Sequence, residues 1–190
     1  MKIIYLCVLV FIIFSCCNEG DLSKELSVLR SHPVVLPQRE DLIIHNSDSI
    51  SYNEENKLKY IVYTDSLDCS SCMVNNLVLW NPIIDYCKNY EGNIVFYFFF
   101  SPAKKDLRSL YMLIKNSEFK YTIIVDGKKN FEKLNPHLPK NRALHTFLLD
   151  ENNNVILVGN PLHNKKIEEM FYKIVEEKLG KPNNSTTCDN

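Results

Sequence analysis

The sequence predicts an α/β domain in which a mixed central sheet is flanked by helices on both faces. Three observations carry that prediction. From Lys57 onward, β-rich runs alternate with amphipathic ones. One run, Ile94 to Phe100, is apolar at every position, as a central strand covered on both faces must be. The last part of the chain reads as strand, short polar turn, strand and helix, which adds an antiparallel hairpin to otherwise alternating strands and helices.

Taken in order, Tyr60-Ile61-Val62-Tyr63-Thr64 is the first core strand, followed by Asp65-Ser66-Leu67-Asp68. Met73 to Tyr90 reads as a helix with Leu77, Val78, Trp80, Ile84 and Cys87 inward, bent or divided at Asn81-Pro82 because proline lacks the N–H that a helix interior uses. Ile94 to Phe100 is the second strand. Ser101-Pro102 opens a second helix with Leu107, Leu110, Tyr111 and Ile114 on one side. Tyr121 to Gly127 is a third strand and turn, and residues 128–135 form a short helix stopped by Pro136 and Pro139. Thr146 to Asp150 and Val155 to Val158 flank Glu151-Asn152-Asn153-Asn154, a hairpin signal. Asn164 then caps a helix whose apolar positions are Ile167, Met170, Phe171, Ile174 and Val175.

The N-terminus has its own logic. One Lys precedes an apolar run from Ile3 to Phe14, which as a helix spans roughly 18 Å against about 30 Å for a bilayer core. Residues 1–15 therefore read as a signal peptide, with a short buried helix as the alternative. Ile13-Phe14-Ser15-Cys16 resembles a bacterial lipoprotein signal, although Phe14 is bulky for its place and Cys17 competes as acceptor. The resemblance implies cleavage before Cys16, acylation there, and a soluble domain lipid-anchored to the membrane, in the periplasm or at the cell surface of a bacterial envelope. Residues 16–56 read as a tether with peripheral strands at Val34-Val35-Leu36 and Leu42-Ile43-Ile44; residues 57–179 are the domain; residues 180–190 are a tail too polar to fold alone.

A net charge of -1 gives no footprint for nucleic acid, and no glycine-rich phosphate loop occurs. No cofactor is called for. The chemistry concentrates in Cys69-Ser70-Ser71-Cys72, between a strand and a helix. The i, i+3 spacing lets the two sulfurs bridge, and a helix start favours a thiolate, the attacking species in disulfide exchange, on the first cysteine. A stapling disulfide or half of a zinc site are the alternatives, and no second CxxC or HxxxH completes the latter. Cys87 reads as a core thiol, Trp80 and the phenylalanines as core, and Cys188 as a tail residue of open role.

With this CxxC placement, the Val125-Asp126-Gly127 strand end and Thr146-Phe147-Leu148-Leu149-Asp150, the chain resembles the thioredoxin-like thiol–disulfide oxidoreductases, especially their envelope-facing, membrane-tethered branch. The resemblance covers roughly residues 57–179. It implies that Cys69 attacks, that Cys72 resolves, and that the partners are thiols or disulfides of envelope proteins. Two departures stand out. Asp68 occupies the place of the family's tryptophan, and with Asp65 it opposes a thiolate on Cys69. The family's cis-proline falls near Ala143-Leu144-His145, where there is no proline. His145 is thus a candidate base for Cys69, or a third ligand that with Cys69 and Cys72 would hold Cu(I), or a strand-end histidine without a partner. Three functions follow: a disulfide oxidoreductase, a Cu(I)-binding module, or a non-catalytic scaffold lipoprotein.

Overall fold

The computed structural model describes residues 21–45 and 55–182. The signal-peptide reading, Cys16, Cys17 and Cys188 fall outside them. Helix α1 occupies residues 21–29, and strand β1 is Ile43–His45. The core follows as β2 (Leu58–Thr64), α2 (Ser70–Asn76), α3 (Asn81–Lys88), β3 (Ile94–Phe100), α4 (Leu107–Lys115), β4 (Ile123–Val125), α5 (Asn130–Leu134), β5 (Thr146–Leu149), β6 (Val155–Val158) and α6 (Lys165–Leu179).

One six-stranded sheet runs in the order β1-β4-β3-β2-β5-β6. β2 pairs in parallel with β3, Leu58 opposite Ile94 through Thr64 opposite Phe100, and β3 pairs in parallel with β4. β5 joins the other side of β2 antiparallel, β6 closes the hairpin, and β1 is an antiparallel edge on β4. The sheet is mixed and α/β, as its sequence pattern indicates. All seven residues of β2 and all seven of β3 are buried.

Side-chain alternation along the strands divides the core in two. Leu58, Tyr60, Val62, Ile94, Phe96, Phe98 and Phe100 face Val74, Leu77, Trp80, Ile83, Ile84, Cys87, Leu110, Ile114, Phe171 and Val175, drawn from α2, the turn after it, α3, α4 and α6. Ile61, Tyr63, Val95, Tyr97, Phe99, Phe147 and Leu149 face the other way, against Leu29, Val34 and Phe131. Each fully buried aromatic or aliphatic side chain contributes about 1.5–3 kcal/mol.

The local structure follows from identifiable residues. The predicted long helix is divided: α2 gives way to a tight turn at Leu77–Trp80, and α3 restarts with Pro82 in its first turn, where a missing N–H costs nothing. The second helix begins later than Ser101-Pro102, because Ala103 is still extended and a single tight turn at Lys104–Asp106 precedes Leu107. Asn164 caps α6 by accepting from the Lys166 and Ile167 N–H groups at 3.0 and 3.2 Å. In the β5–β6 turn, Asp150 Oδ1 accepts from the Asn152 and Asn154 N–H groups, and Asn153 takes the left-handed conformation (φ 63°) that asparagine tolerates.

The segment read as a tether departs most from expectation. Residues 21–29 are helical, with Leu22, Leu26 and Leu29 at i, i+4 and i+7, and Leu29 is fully buried. Val34-Val35-Leu36 is not a strand. Pro33 and Pro37 deny it a continuous ladder. It is held instead by the Val34 N–H on the Asn153 carbonyl (2.9 Å) and by the Asn135 side chain, which bonds both the N–H and the carbonyl of Val35. Of the two peripheral strands expected, Leu42-Ile43-Ile44 survives as β1.

Candidate functional site

β2 delivers the chain to a self-tied loop. Asp65 Oδ1 accepts from the Leu67 N–H at 2.7 Å, and the Asp65 N–H donates to Asp68 Oδ2 at 3.2 Å. This loop ends at Cys69, the N-cap of α2, in extended conformation. Its carbonyl accepts the first helical bond, from the Met73 N–H at 3.0 Å, while its Sγ accepts from the Cys72 N–H at 3.4 Å. The sulfur thus fills the place that a serine or aspartate oxygen usually fills at a helix start. Ser71 Oγ lies 3.3 Å from the same sulfur.

Cys69 and Cys72 are joined as a disulfide, their Cα atoms 5.4 Å apart, and both residues are exposed. Cys87 differs in every respect. It is buried on the inner side of α3, free, and burial pushes its thiol up to about 12. A thiol held neutral in apolar surroundings is inert at neutral pH, so the exposed pair carries whatever thiol chemistry these three cysteines perform.

Asp68, expected to oppose a thiolate next door, has a partner of its own. Arg142 Nη1 donates to Asp68 Oδ1 at 2.7 Å and to the Leu67 carbonyl at 3.2 Å. The guanidinium is half exposed, so the pair contributes on the order of 0–1 kcal/mol to stability. Its larger effect is to place a positive charge against the acid that precedes Cys69. Sequence reading missed Arg142. The available signal was a basic residue immediately before the loop expected to face the cysteines.

The structure places His145 between a short turn at Arg142–Leu144 and β5, 4% exposed. Its Nε2 sits 2.8 Å from the Pro139 carbonyl, its ring packs 5.1 Å from that of Tyr63, and its own carbonyl accepts from the Tyr63 N–H. The reading of a strand-end histidine without a partner therefore fails. The acids gathered around it are Asp65 and Asp68; the cluster contains neither cysteine. No peptide bond among the described residues is cis, the Leu144–His145 bond included. Beside the cysteine loop runs a groove of about 710 Å³, lined among others by Tyr63, Asp65, Leu67, Leu138, Pro139 and His145. Leu67, at its rim, is 79% exposed.

No protein-family model matches the chain, and no curated protein does. Solved structures do. A thioredoxin-like protein of Porphyromonas gingivalis superposes with a TM-score of 0.47 at 14% identity, over 79% of this chain and 92% of that one. A protein of Chlorobium tepidum described as a thiol:disulfide interchange protein, DsbE, gives 0.46 at 19%, over 66% of this chain and 82% of its own. The thioredoxin domain of a thiol-disulfide oxidoreductase from Bacteroides vulgatus gives 0.44 at 15%, over 76% and 98%. Independently of these likenesses, the parallel β2–β3 pair, the β5–β6 hairpin on the far side of β2, and a CxxC pair at the end of β2 are the arrangement expected from the sequence. By its strand order and strand directions the fold is thioredoxin-like. Within this thioredoxin-like fold, Cys69 and Cys72 stand close together at the open end of the central strand, and no helix of the described residues is long and apolar enough to cross a membrane.

Proposed function

We propose that the protein is a thiol–disulfide oxidoreductase of the bacterial envelope, anchored through a lipid on Cys16 and acting on protein thiols or disulfides through Cys69 and Cys72. The observation that carries this reading is the exposed Cys69–Cys72 bridge whose first sulfur accepts the Cys72 N–H at the start of α2. That N–H stabilises charge on Cys69 Sγ, and a thiolate is what disulfide exchange requires. In the reducing direction the Cys69 thiolate attacks one sulfur of a partner's disulfide and displaces the other as a thiolate. Cys72, losing its proton, then attacks Cys69 Sγ. A second partner thiolate leaves, two electrons have passed to the partner, and the Cys69–Cys72 bridge has formed. The oxidising direction is the same sequence reversed, chosen by the partner's potential.

Support for the anchor is the short apolar run ending in Ile13-Phe14-Ser15-Cys16. The exposed Leu67, two residues before Cys69, and the groove it lines offer an extended partner segment an apolar surface beside the cysteine loop. No observation favours the Cu(I) module or the inert scaffold over this reading.

The test is a trapping experiment. In cells, a Cys72→Ser variant, unable to release its partner, accumulates mixed disulfides through Cys69 that a reductant dissolves, while Cys69→Ser and Cys87→Ser variants accumulate none beyond background. Cys16→Ser abolishes lipid labelling and shifts the protein out of the detergent phase. Absence of Cys69-dependent adducts would overturn the redox reading, and unchanged labelling of Cys16→Ser the anchor.

A further inference from the structure

Asp65, Asp68 and His145 converge in a way that disulfide exchange does not use. A carboxylate oxygen of each aspartate and an imidazole nitrogen of His145 all lie within 4.8 Å of one another. His145 is 4% exposed. A carbonyl can only accept, so the 2.8 Å contact with Pro139 puts a ring hydrogen on Nε2, and in the neutral ring the lone pair is then on Nδ1. Nδ1 is buried and has no hydrogen-bond partner among the described residues. Buried polar atoms are almost always paired. A buried, unpartnered lone pair on a ring that clusters with two acids fits one kind of partner: a positively charged electron-pair acceptor.

The geometry points to a divalent-cation site formed by His145 Nδ1, Asp65 and Asp68, distinct from the cysteine pair. One imidazole and two carboxylates suit a borderline first-row ion, Zn²⁺ above all, and three protein ligands leave a position for water. Each ligand is held from behind, as metal ligands generally are. The Pro139 carbonyl fixes His145, the Leu67 N–H fixes Asp65 through Oδ1, and Arg142 with the Asp65 N–H fixes Asp68. Among the described residues no hydrogen bond occupies Asp65 Oδ2. Asp65 and His145 also line the 710 Å³ groove, which gives an ion a path from solvent. Arg142 opposes the ion, but it offsets one of two negative charges and its half-exposed side chain can swing out into solvent.

Because reduced Cys69 and Cys72 would bind zinc themselves, the test uses the oxidised full-length protein with its accessible thiols alkylated; buried Cys87 is left as it is. Calorimetric titration with Zn²⁺ is expected to show one ion per chain. The imidazole resonances of His145 should shift in step with it. Asp65→Asn keeps the oxygen that accepts the Leu67 N–H and removes only the charge; it should weaken binding at least tenfold, as should His145→Gln. A Cys69→Ser, Cys72→Ser double variant should bind as the oxidised protein does. If buried His145→Gln does not fold, Asp65→Asn decides alone. No saturable binding, or binding that Asp65→Asn leaves intact, overturns the site. Neither outcome touches the trapping of mixed disulfides, so the two readings fail separately.

Discussion

The two faces of the sheet are built on different plans. One is closed by helices that follow their strands in the chain: Tyr60 lies 5.5 Å from Trp80, 5.5 Å from Phe96 and 5.3 Å from Phe171, so a single strand residue touches the turn after α2, the neighbouring strand and the last helix. The other has a thin cover. Phe131 of α5 stacks on Phe99 at 4.8 Å, and the rest of its buried cover comes from Leu29 and Val34, which precede every core strand, with Leu36, Leu42 and Leu138 only partly buried against it. The first face carries redundant support. The second depends on a segment whose attachment is local: the Val34 and Val35 bonds, and the Asn141 N–H on Glu25. A sheet buried on both sides needs both covers, however unequal their length in the chain.

That contrast breaks most readily at Leu29. Leu29→Ala removes a fully buried side chain from the thin face and is expected to cost about 2–5 kcal/mol, read as a fall in the urea midpoint with unchanged slope. A loss under about 0.5 kcal/mol, the size of an ordinary surface change, would mean that the segment merely rests on the domain. Asn135→Ala is the next test. Asn135 is fully buried, donates to the Val35 and Phe131 carbonyls at 2.8 Å each, and accepts from the Val35 N–H at 2.7 Å. Its removal orphans those groups at about 1–3 kcal/mol. It should also raise amide exchange at Val35 far more than at Phe98 on the helix-covered face.

The smallest effect near neutral pH belongs to Cys87, on the well-covered face. Its thiol is raised from about 9 to about 12 by burial. A raised value means the folded state keeps its proton after the unfolded chain has lost it, so the stability this adds is complete below about pH 9 and is lost as pH rises through about 12. Cys87→Ala should flatten the alkaline limb of the stability profile in that window. It should leave the rate at which Cys69 and Cys72 exchange with a small dithiol at pH 7 unchanged.

Reading order explains what the sequence disclosed and what it hid. The helix-covered face was legible because its contributors are regular: an unbroken run at Ile94 to Phe100, an Asn164 cap, and a stripe through Phe171 and Val175. Even there Met170, placed on the stripe, is 41% exposed, because a stripe is wider than the surface it meets. The thin face was hidden because Leu22, Leu26 and Leu29 make a short helical signal among polar residues, followed at once by two prolines. At the site, Cys69 and Cys72 were found from spacing alone. Arg142 and the partners of His145 were not, since Asp65 and Tyr63 meet it only through the antiparallel return of β5 onto β2, and Pro139 only through the turn that precedes β5.

The early start of folded structure also sets how far the protein reaches. A flexible leash from Cys16 to Lys57 would extend up to about 150 Å, enough to sweep a wide volume around its anchor point. With α1 already helical at Asp21, only four residues lie between it and Cys16, and the five steps from Cys16 to Asp21 span at most about 18 Å. A lipid on Cys16 would therefore hold the domain against the headgroups rather than let it range above them. The cysteines would then meet disulfides displayed close to the bilayer, and such an anchor would restrict which partners the pair encounters before any docking surface selects among them.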